Sequence, residues 1–430
     1  MIRALLFAAV VQRWLLVNDI HLDPFFRDNT LFGAGDTTPV LWRDTLREMR
    51  KAVPNPTVVI VGGDLMAHIW RGLARDARQD PTVAAVATTR EIADGLAHVY
   101  PHARFLVALG NNDDPCGDYR SETGGEYLKR IADIWAPLVQ RDGAAPNFRA
   151  EFMRGGYYTA TLPTGERAVV MNSVFWSFLN RGGCESHTSR AGSRELAWLQ
   201  SQLGSLPRGV RAVTLMHIPP GYDPQTTADT ARGLWPVPFL GGDVNRAVIQ
   251  TFGAERDKIA FAVGAHTHRY DFRVVSGVPM VIGSSISPVY GNNPAFFELD
   301  VDARGDLSDV VPYSLDPYSF DGRYVRRPSF DQLYEVQAPT AAAMTEIAAR
   351  IRNDAPFRSK WILAHDAWAH IRHAQGWVAA NSCAQTELEG GFATCAGVVS
   401  AWWRIGGLVI GVLALALTYI LLRRRVDSGT

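Results

Sequence analysis

Five apolar, β-branched runs in this chain each end in a loop that carries an imidazole, a carboxylate or a carboxamide. RWLLV (13–17) leads to Asp19 and His21 in NDIHLD, and TVVIV (57–61) leads to Asp64 and His68 in GGDLMAH. ARFLVAL (103–109) leads to Asn111 in GNND, AVTLM (212–216) to His217 in HIPPG, and IAFAV (259–263) to His266 and His268 in GAHTHR. A short run of this composition bounded by turn formers reads as a buried strand. Helical periodicity fills the intervals at Leu41–Val53, Thr82–Val99 and Leu196–Leu206. Alternation of this kind predicts an α/β layered fold with a largely buried sheet, whose site gathers at the loops beyond the strand ends.

Asp, Asn and His are the ligand set of hard and borderline divalent metals. On an extended strand end alternate residues share a face, which would put Asp19 and His21 on one metal. The two carboxylate oxygens of Asp64 can bridge a pair of ions. Asn111 offers a neutral carbonyl oxygen to the second ion, His217 and His266 offer nitrogens to it, and His268 completes the first. The expectation is two divalent ions, zinc foremost, with manganese or iron also suited. Metals about 3.5–4 Å apart clamp a phosphoryl group and lower the pKa of a water between them.

In that order, D-x-H, G-D, G-N-x-D, H and G-x-H-x-H resemble the calcineurin-like metallophosphoesterases over roughly residues 13–300. GDLMAH (63–68), HIPPG (217–221) and SISPVYGNNPAF (285–296) narrow the resemblance to the acid sphingomyelinase-like phosphodiesterases, which include the endopolyphosphatases. The resemblance implies a β-sandwich flanked by helices, followed by a helical C-terminal subdomain with a disulfide. It implies cleavage of phosphodiester or phosphoanhydride bonds by a metal-held hydroxide. The substrate would be a nucleotide, polyphosphate or a phospholipid headgroup. His68 would protonate the leaving group. The widespread G-N-H-[DE] motif reads here Gly110-Asn111-Asn112-Asp113, as in the endopolyphosphatase branch. An amide thus replaces an acidic imidazole, and Asn112 is expected to hydrogen-bond a phosphoryl oxygen. Asp113 is expected to orient a ligand, and Tyr290 and Asn292 to line the substrate. Two other readings share these residues: a phosphomonoesterase on the same centre, and a catalytically inactive, membrane-tethered binding module, which only Asn112 favours.

The ends of the chain carry separate signals. Ile405–Leu422 is 18 residues without a charge, preceded by Trp402 and Trp403 and followed by Arg423, Arg424 and Arg425. That pattern predicts one transmembrane helix over 405–422, with 423–430 cytoplasmic and the catalytic part extracytoplasmic. Residues 1–12 read as an export signal, 13–310 as the catalytic domain and 311–400 as the helical subdomain. Four cysteines suit an exported chain: Cys383 and Cys395 could close a small loop and Cys116 and Cys184 could pair, though three connectivities are open. Lys+Arg and Asp+Glu both number 43, so no basic surface for nucleic acid is expected. Trp176 and Phe178 are expected in the core. His365, His370 and His373, with Asp366, are expected to pack or face solvent rather than bind metal.

Overall fold

The computed structural model describes residues 11–398, apart from 34, 184–189, 230–234, 317–320 and 375. The chain opens with three strands, β1 (Gln12–Val17), β2 (Val58–Val61) and β3 (Arg104–Val107). Helices Pro39–Ala52 and Pro81–Val99 separate them, and both begin on the same device. A proline sits in the first turn, where its missing N–H is no loss, and the preceding Thr38 or Asp80 side chain accepts a free N–H of that turn. Next come β4 (Tyr158–Thr161), β5 (Arg167–Val170), β6 (Ala212–Leu215) and the short pair β7 (Tyr222–Asp223) and β8 (Val237–Pro238). The remainder are β9 (Ile259–Gly264), β10 (Asp271–Val275), β11 (Val278–Ile282), β12 (Ala295–Val301), β13 (Leu307–Leu315) and β14 (Tyr324–Arg326).

These strands form two six-stranded sheets, ordered β14-β13-β12-β1-β2-β3 and β10-β11-β9-β6-β5-β4. β1, β2 and β3 run parallel in register, Val17 beside Val61 and Val61 beside Val107. β5, β6, β9 and β11 run parallel in the second sheet. Parallel strands aligned at their ends put every loop that follows them on one rim. One apolar core joins the sheets, with Trp14 of β1 and Phe261 of β9 at a ring distance of 5.7 Å. A second core lies between the other sheet and helices Ala191–Gly204 and Gly242–Ala254. Its members include Leu199, Leu203, Val248 and Phe252, all but absent from solvent, which fixes the rim loops on a rigid base.

Three details depart from the sequence reading. The expected boundary at 310/311 falls inside β13, so the first sheet extends to Arg326. β13 is buried on nearly every residue, which erases the alternation that marks a half-exposed strand. Gln12, assigned to the export signal, begins β1 and pairs with Val301. Phe178 is 56% exposed, whereas Trp176 is buried as expected.

Helices Ala341–Asn353, Ala355–His365, Trp377–Ala384 and Phe392–Cys395 follow the sheets. Cys383 and Cys395 are disulfide-bonded, with Cα atoms 5.8 Å apart. Cys116 is also in a disulfide, and Cys184 lies outside the described residues. Gln385 anchors the helices to β10: its carbonyl accepts from Val274 N–H and its amide donates to Asp271 Oδ1 at 2.7 Å. No helix among the described residues is long and apolar enough to cross a membrane. The span expected at 405–422 and residues 1–10 of the expected signal lie outside the described residues.

Candidate metal centre

β1 stops at Val17, and the Asp19-x-His21 pair is not on extended backbone as the sequence suggested. Asp19 and His21 have φ of 48° and 46°, in the left-handed region, and so do Asp64 (55°), His266 (73°) and His268 (57°). Left-handed backbone is rare outside glycine and is held only where the surroundings over-determine it. Here the loops lace together: Asp19 N–H donates to Gly63 O at 3.0 Å and His21 N–H to Asp64 O at 2.9 Å. Glycine is required at one point of this lacing. A Cβ on Gly110 would lie 2.3 Å from Asp64 N and closer still to the Asp64 carboxylate.

All seven expected ligands converge. Asp64 Oδ2 is 3.4 Å from His21 Nε2 on one side and 3.4 Å from His217 Nε2 on the other. His268 Nε2 lies 3.1 Å from His21 Nε2 and 3.6 Å from Asp19 Oδ1. Asn111 Oδ1 is 3.2 Å from His217 Nε2. Two groups, Asp19–His21–Asp64 and Asp64–His217–His266, each bring their ligand atoms within 4.8 Å of one another and share Asp64. His21, His68 and His268 make a third such group.

The hydrogen bonds around these atoms test whether a cation fits. His21 Nδ1 faces Met66 O at 2.8 Å and His217 Nδ1 faces Gly62 O at 2.8 Å. A carbonyl only accepts, so both Nδ1 atoms carry a proton and both Nε2 atoms are the ring positions turned to the cluster. Burial would lower His217, but Asp64 and Asp19 outweigh it and raise it to about 9, so a metal there would take the place of a proton on Nε2. The two Nε2 atoms lie among carboxylate and carboxamide oxygens and, at His21, beside a third imidazole nitrogen. A buried convergence of two carboxylates, a carboxamide oxygen and four imidazoles calls for positive charge, so the residues fit divalent metal. Burial pushes His21 down to about 4 and His266 down to about 3, and drives His268 well below its ordinary value. Neutral imidazoles are what metal ligation needs. Burial also pushes Asp19 up to about 6. Burial alone would raise Asp64, but His217 beside it holds the carboxylate well below its ordinary value.

Residues behind the ligands set their aim. Asp113 Oδ2 accepts from Gly110 N–H at 2.7 Å and Asp64 N–H at 3.1 Å, and its Oδ1 from Leu65 N–H at 2.7 Å. It braces the Asp64 and Asn111 loops through their backbone. Asn111 Nδ2 donates to Asp118 Oδ1 at 2.8 Å, which turns its carbonyl oxygen toward His217. Asn18 Nδ2 donates to Asp19 Oδ2 at 2.5 Å. Asp118 and Asn18 were not singled out from sequence, although Asn18 adjoins a recognised motif.

His68 stands at the mouth. Its ring stacks on His21 at 4.0 Å, and its Nδ1 is 2.9 Å from Asp36 Oδ1. Burial lowers its basicity, but Asp36 outweighs that and raises His68 above its ordinary value. Asp36 also accepts from Ser287 Oγ at 2.8 Å. The Tyr290 hydroxyl lies 3.3 Å from His68 Nε2. Asn292 is buried and donates to Ser285 Oγ and Ser287 O, so it shapes this loop and does not line the site. The Asn112 N–H donates to Asp64 Oδ1 at 2.7 Å, while its carboxamide has no hydrogen-bond partner among the described residues. A cavity of about 650 Å³ opens beside the cluster, lined by Tyr119, Phe239, His266, Arg269 and Tyr290, and by Arg372 from the C-terminal segment.

The sequence matches the model of the calcineurin-like phosphoesterases over residues 13–270. The chain belongs to that family. It is 27% identical over 301 residues to sphingomyelinase phosphodiesterase D of Dictyostelium discoideum, covering 67% of this chain and 63% of that one. It is 26% identical over 138 residues to an endopolyphosphatase of Cryptococcus neoformans, covering 31% of this chain and 20% of the relative. The chain thus spans less than two thirds of the length of these relatives. Among solved structures, a purple acid phosphatase from yellow lupin seeds aligns at a TM-score of 0.44 and 13% identity, over 75% of this chain and 53% of the other.

Proposed function

We propose that this protein hydrolyses phosphodiester or phosphoanhydride bonds at a binuclear metal centre. The observation that carries the reading is Asp64 Oδ2, equidistant at 3.4 Å from His21 Nε2 and His217 Nε2, at the junction of two ligand groups. Asp19, His21, Asp64 and His268 would hold one ion, and Asp64, Asn111, His217 and His266 the other, with zinc favoured by the imidazole count. When bound, the pair supplies Lewis acidity toward phosphoryl oxygens and makes water acidic enough to be a nucleophile near neutral pH. The protein's own groups supply the rest. Asn112 presents an unpartnered carboxamide to a non-bridging oxygen. His68, whose protonated form Asp36 favours, gives its Nε2 proton to the departing oxygen, with Tyr290 beside that nitrogen. The cavity between Tyr119, Phe239 and Arg372 receives the remainder of the substrate, with a nucleotide, polyphosphate or a phospholipid headgroup as candidate classes.

The 405–422 segment would tether the protein as a single-pass membrane protein, catalytic part extracytoplasmic and C-terminus cytoplasmic. Protease shaving of intact cells tests that placement, and a protected catalytic part would overturn it. For the chemistry, metal analysis is paired with hydrolysis of bis-p-nitrophenyl phosphate and p-nitrophenyl phosphate. Diester turnover with about two bound ions per chain is expected. Turnover of the monoester alone would replace the reading with a phosphomonoesterase. Bound metal with no turnover would leave a binding module.

A further inference from the structure

The Ser285–Asn293 loop reaches both edges of the His68 ring, through Ser287 and Asp36 at Nδ1 and through Tyr290 at Nε2. Two ties to other parts of the molecule hold it. Arg269 Nη2 donates to the Tyr290 carbonyl at 3.0 Å, and Asn293 Nδ2 donates to the Ala367 carbonyl at 3.1 Å. Arg269 is only 9% exposed, so its charge needs a counter-charge. That counter-charge is Asp366, at the end of helix Ala355–His365 and fully buried.

Asp366 Oδ1 lies 3.8 Å from Arg269 Nη1, and neither atom has a hydrogen-bond partner. The other carboxylate oxygen accepts from His373 Nε2 at 2.6 Å, and His373 itself stacks on Trp377 at 3.6 Å. A carboxylate fixed in this way leaves the guanidinium little freedom. Removing one member of a buried ion pair strands the other charge, which then moves toward water. Arg269 could move only by letting go of the Tyr290 carbonyl.

We propose that Asp366 is a positioning residue, which through Arg269 sets the Tyr290 hydroxyl against His68, so that the C-terminal helices hold the leaving-group acid in register. The inference rests on the reading of His68 given above. A chain of two buried charged groups and the more exposed Tyr290 thus links a helix end to the proton donor, and none of the three is a metal ligand.

The test uses the full-length protein, ¹³C-labelled at tyrosine rings and ¹⁵N-labelled at histidine, with Asp366→Asn and Tyr290→Phe variants. Tyr290→Phe assigns the Tyr290 resonance. In Asp366→Asn that resonance and the His68 ring nitrogens should shift while remote tyrosines stay in place. Turnover of glycerophosphocholine, whose leaving group is an alkoxide, should fall roughly tenfold more than turnover of bis-p-nitrophenyl phosphate. In the Tyr290→Phe background Asp366→Asn should leave that ratio unchanged. An unmoved Tyr290 resonance, or equal losses on both substrates, would overturn the proposal. If the unmodified protein turned over neither substrate, the hydrolase reading would fall, and the resonances alone would still decide the positioning claim. Should Asp366→Asn fail to fold, Arg269→Lys is read in the same way. It keeps the charge opposite Asp366 but has no fork to reach the Tyr290 carbonyl as well.

Discussion

Asp113→Asn should loosen the centre without touching a ligand. The carboxylate accepts three backbone N–H groups, from Gly110 at 2.7 Å, Leu65 at 2.7 Å and Asp64 at 3.1 Å. Asparagine offers one oxygen. In its better orientation that oxygen keeps Gly110 and Asp64, and the new NH₂ meets the Leu65 N–H donor to donor. One buried donor is orphaned, at about 1–3 kcal/mol, and the retained bonds lose their charge-assisted strength. The sum is a loss of roughly 2–4 kcal/mol, or a fall in Tm on the order of 2–5 °C for a chain of this length. Asp64 moves with its own N–H, so metal affinity should drop by about 10–100-fold, as for other groups that orient a ligand. Scanning calorimetry and metal analysis after dialysis read the two effects. A variant with unchanged Tm that kept its metal through dialysis would refute the claim that these three bonds brace the Asp64 loop.

His68→Ala should lower kcat about 10²–10⁴-fold on a diester with an alkoxide leaving group and much less on a nitrophenyl diester; equal losses would remove His68 as the acid. Chelation should abolish turnover and lower Tm, both restored by added zinc or manganese, because an ion that binds only the folded state stabilises it. An unchanged Tm after verified metal removal would count against a folded-state site. Glu195 is buried, accepts from Asn172 N–H at 2.6 Å with one oxygen, and has no partner for the other. Burial raises its pKa well above the ordinary value, opposed by that one bond. A carboxyl raised on folding favours the native state fully at low pH and loses that contribution as pH climbs past its unfolded pKa of about 4.3. Wild type should therefore lose stability relative to Glu195→Gln as pH rises from about 5 toward 8. A pH-independent difference in denaturant midpoint would contradict this.

The ligand set was legible because each ligand closes a strand whose composition announces it. The parallel registers of β1 with β2 and of β2 with β3 then bring motifs roughly 45 residues apart to one rim. What remained hidden depends on pairing rather than on pattern. Asp36 lies in a GAGDTTP stretch that reads only as a loop, and it meets His68 because Leu22 bridges both Thr37 and Met66. Asp118 is seven residues from the Asn111 that it aims, in a segment with no period. Arg269 directly follows the GAHTH motif, yet nothing local says that its partner, Asp366, stands almost a hundred residues later. The antiparallel strands β12 and β13 were masked by burial on both faces. Asn292 was noticed for its turn chemistry but assigned to the substrate, where the structure gives it only the loop.

Five of the ligand residues, Asp19, His21, Asp64, His266 and His268, occupy left-handed backbone. At roughly 1–2 kcal/mol each, this amounts to a sum comparable with the net stability of an ordinary domain. Glycine would sit at any of these positions without that penalty. Ligand-to-glycine changes thus form an unusual class, in which backbone strain in the apo fold is relieved, offsetting part of the cost of the lost side chain, while its chemistry disappears. A laboratory screen that rewarded heat resistance alone would do little to keep this centre's ligands. Engineering this scaffold for stability therefore requires metal in the selection medium, or turnover as part of the score.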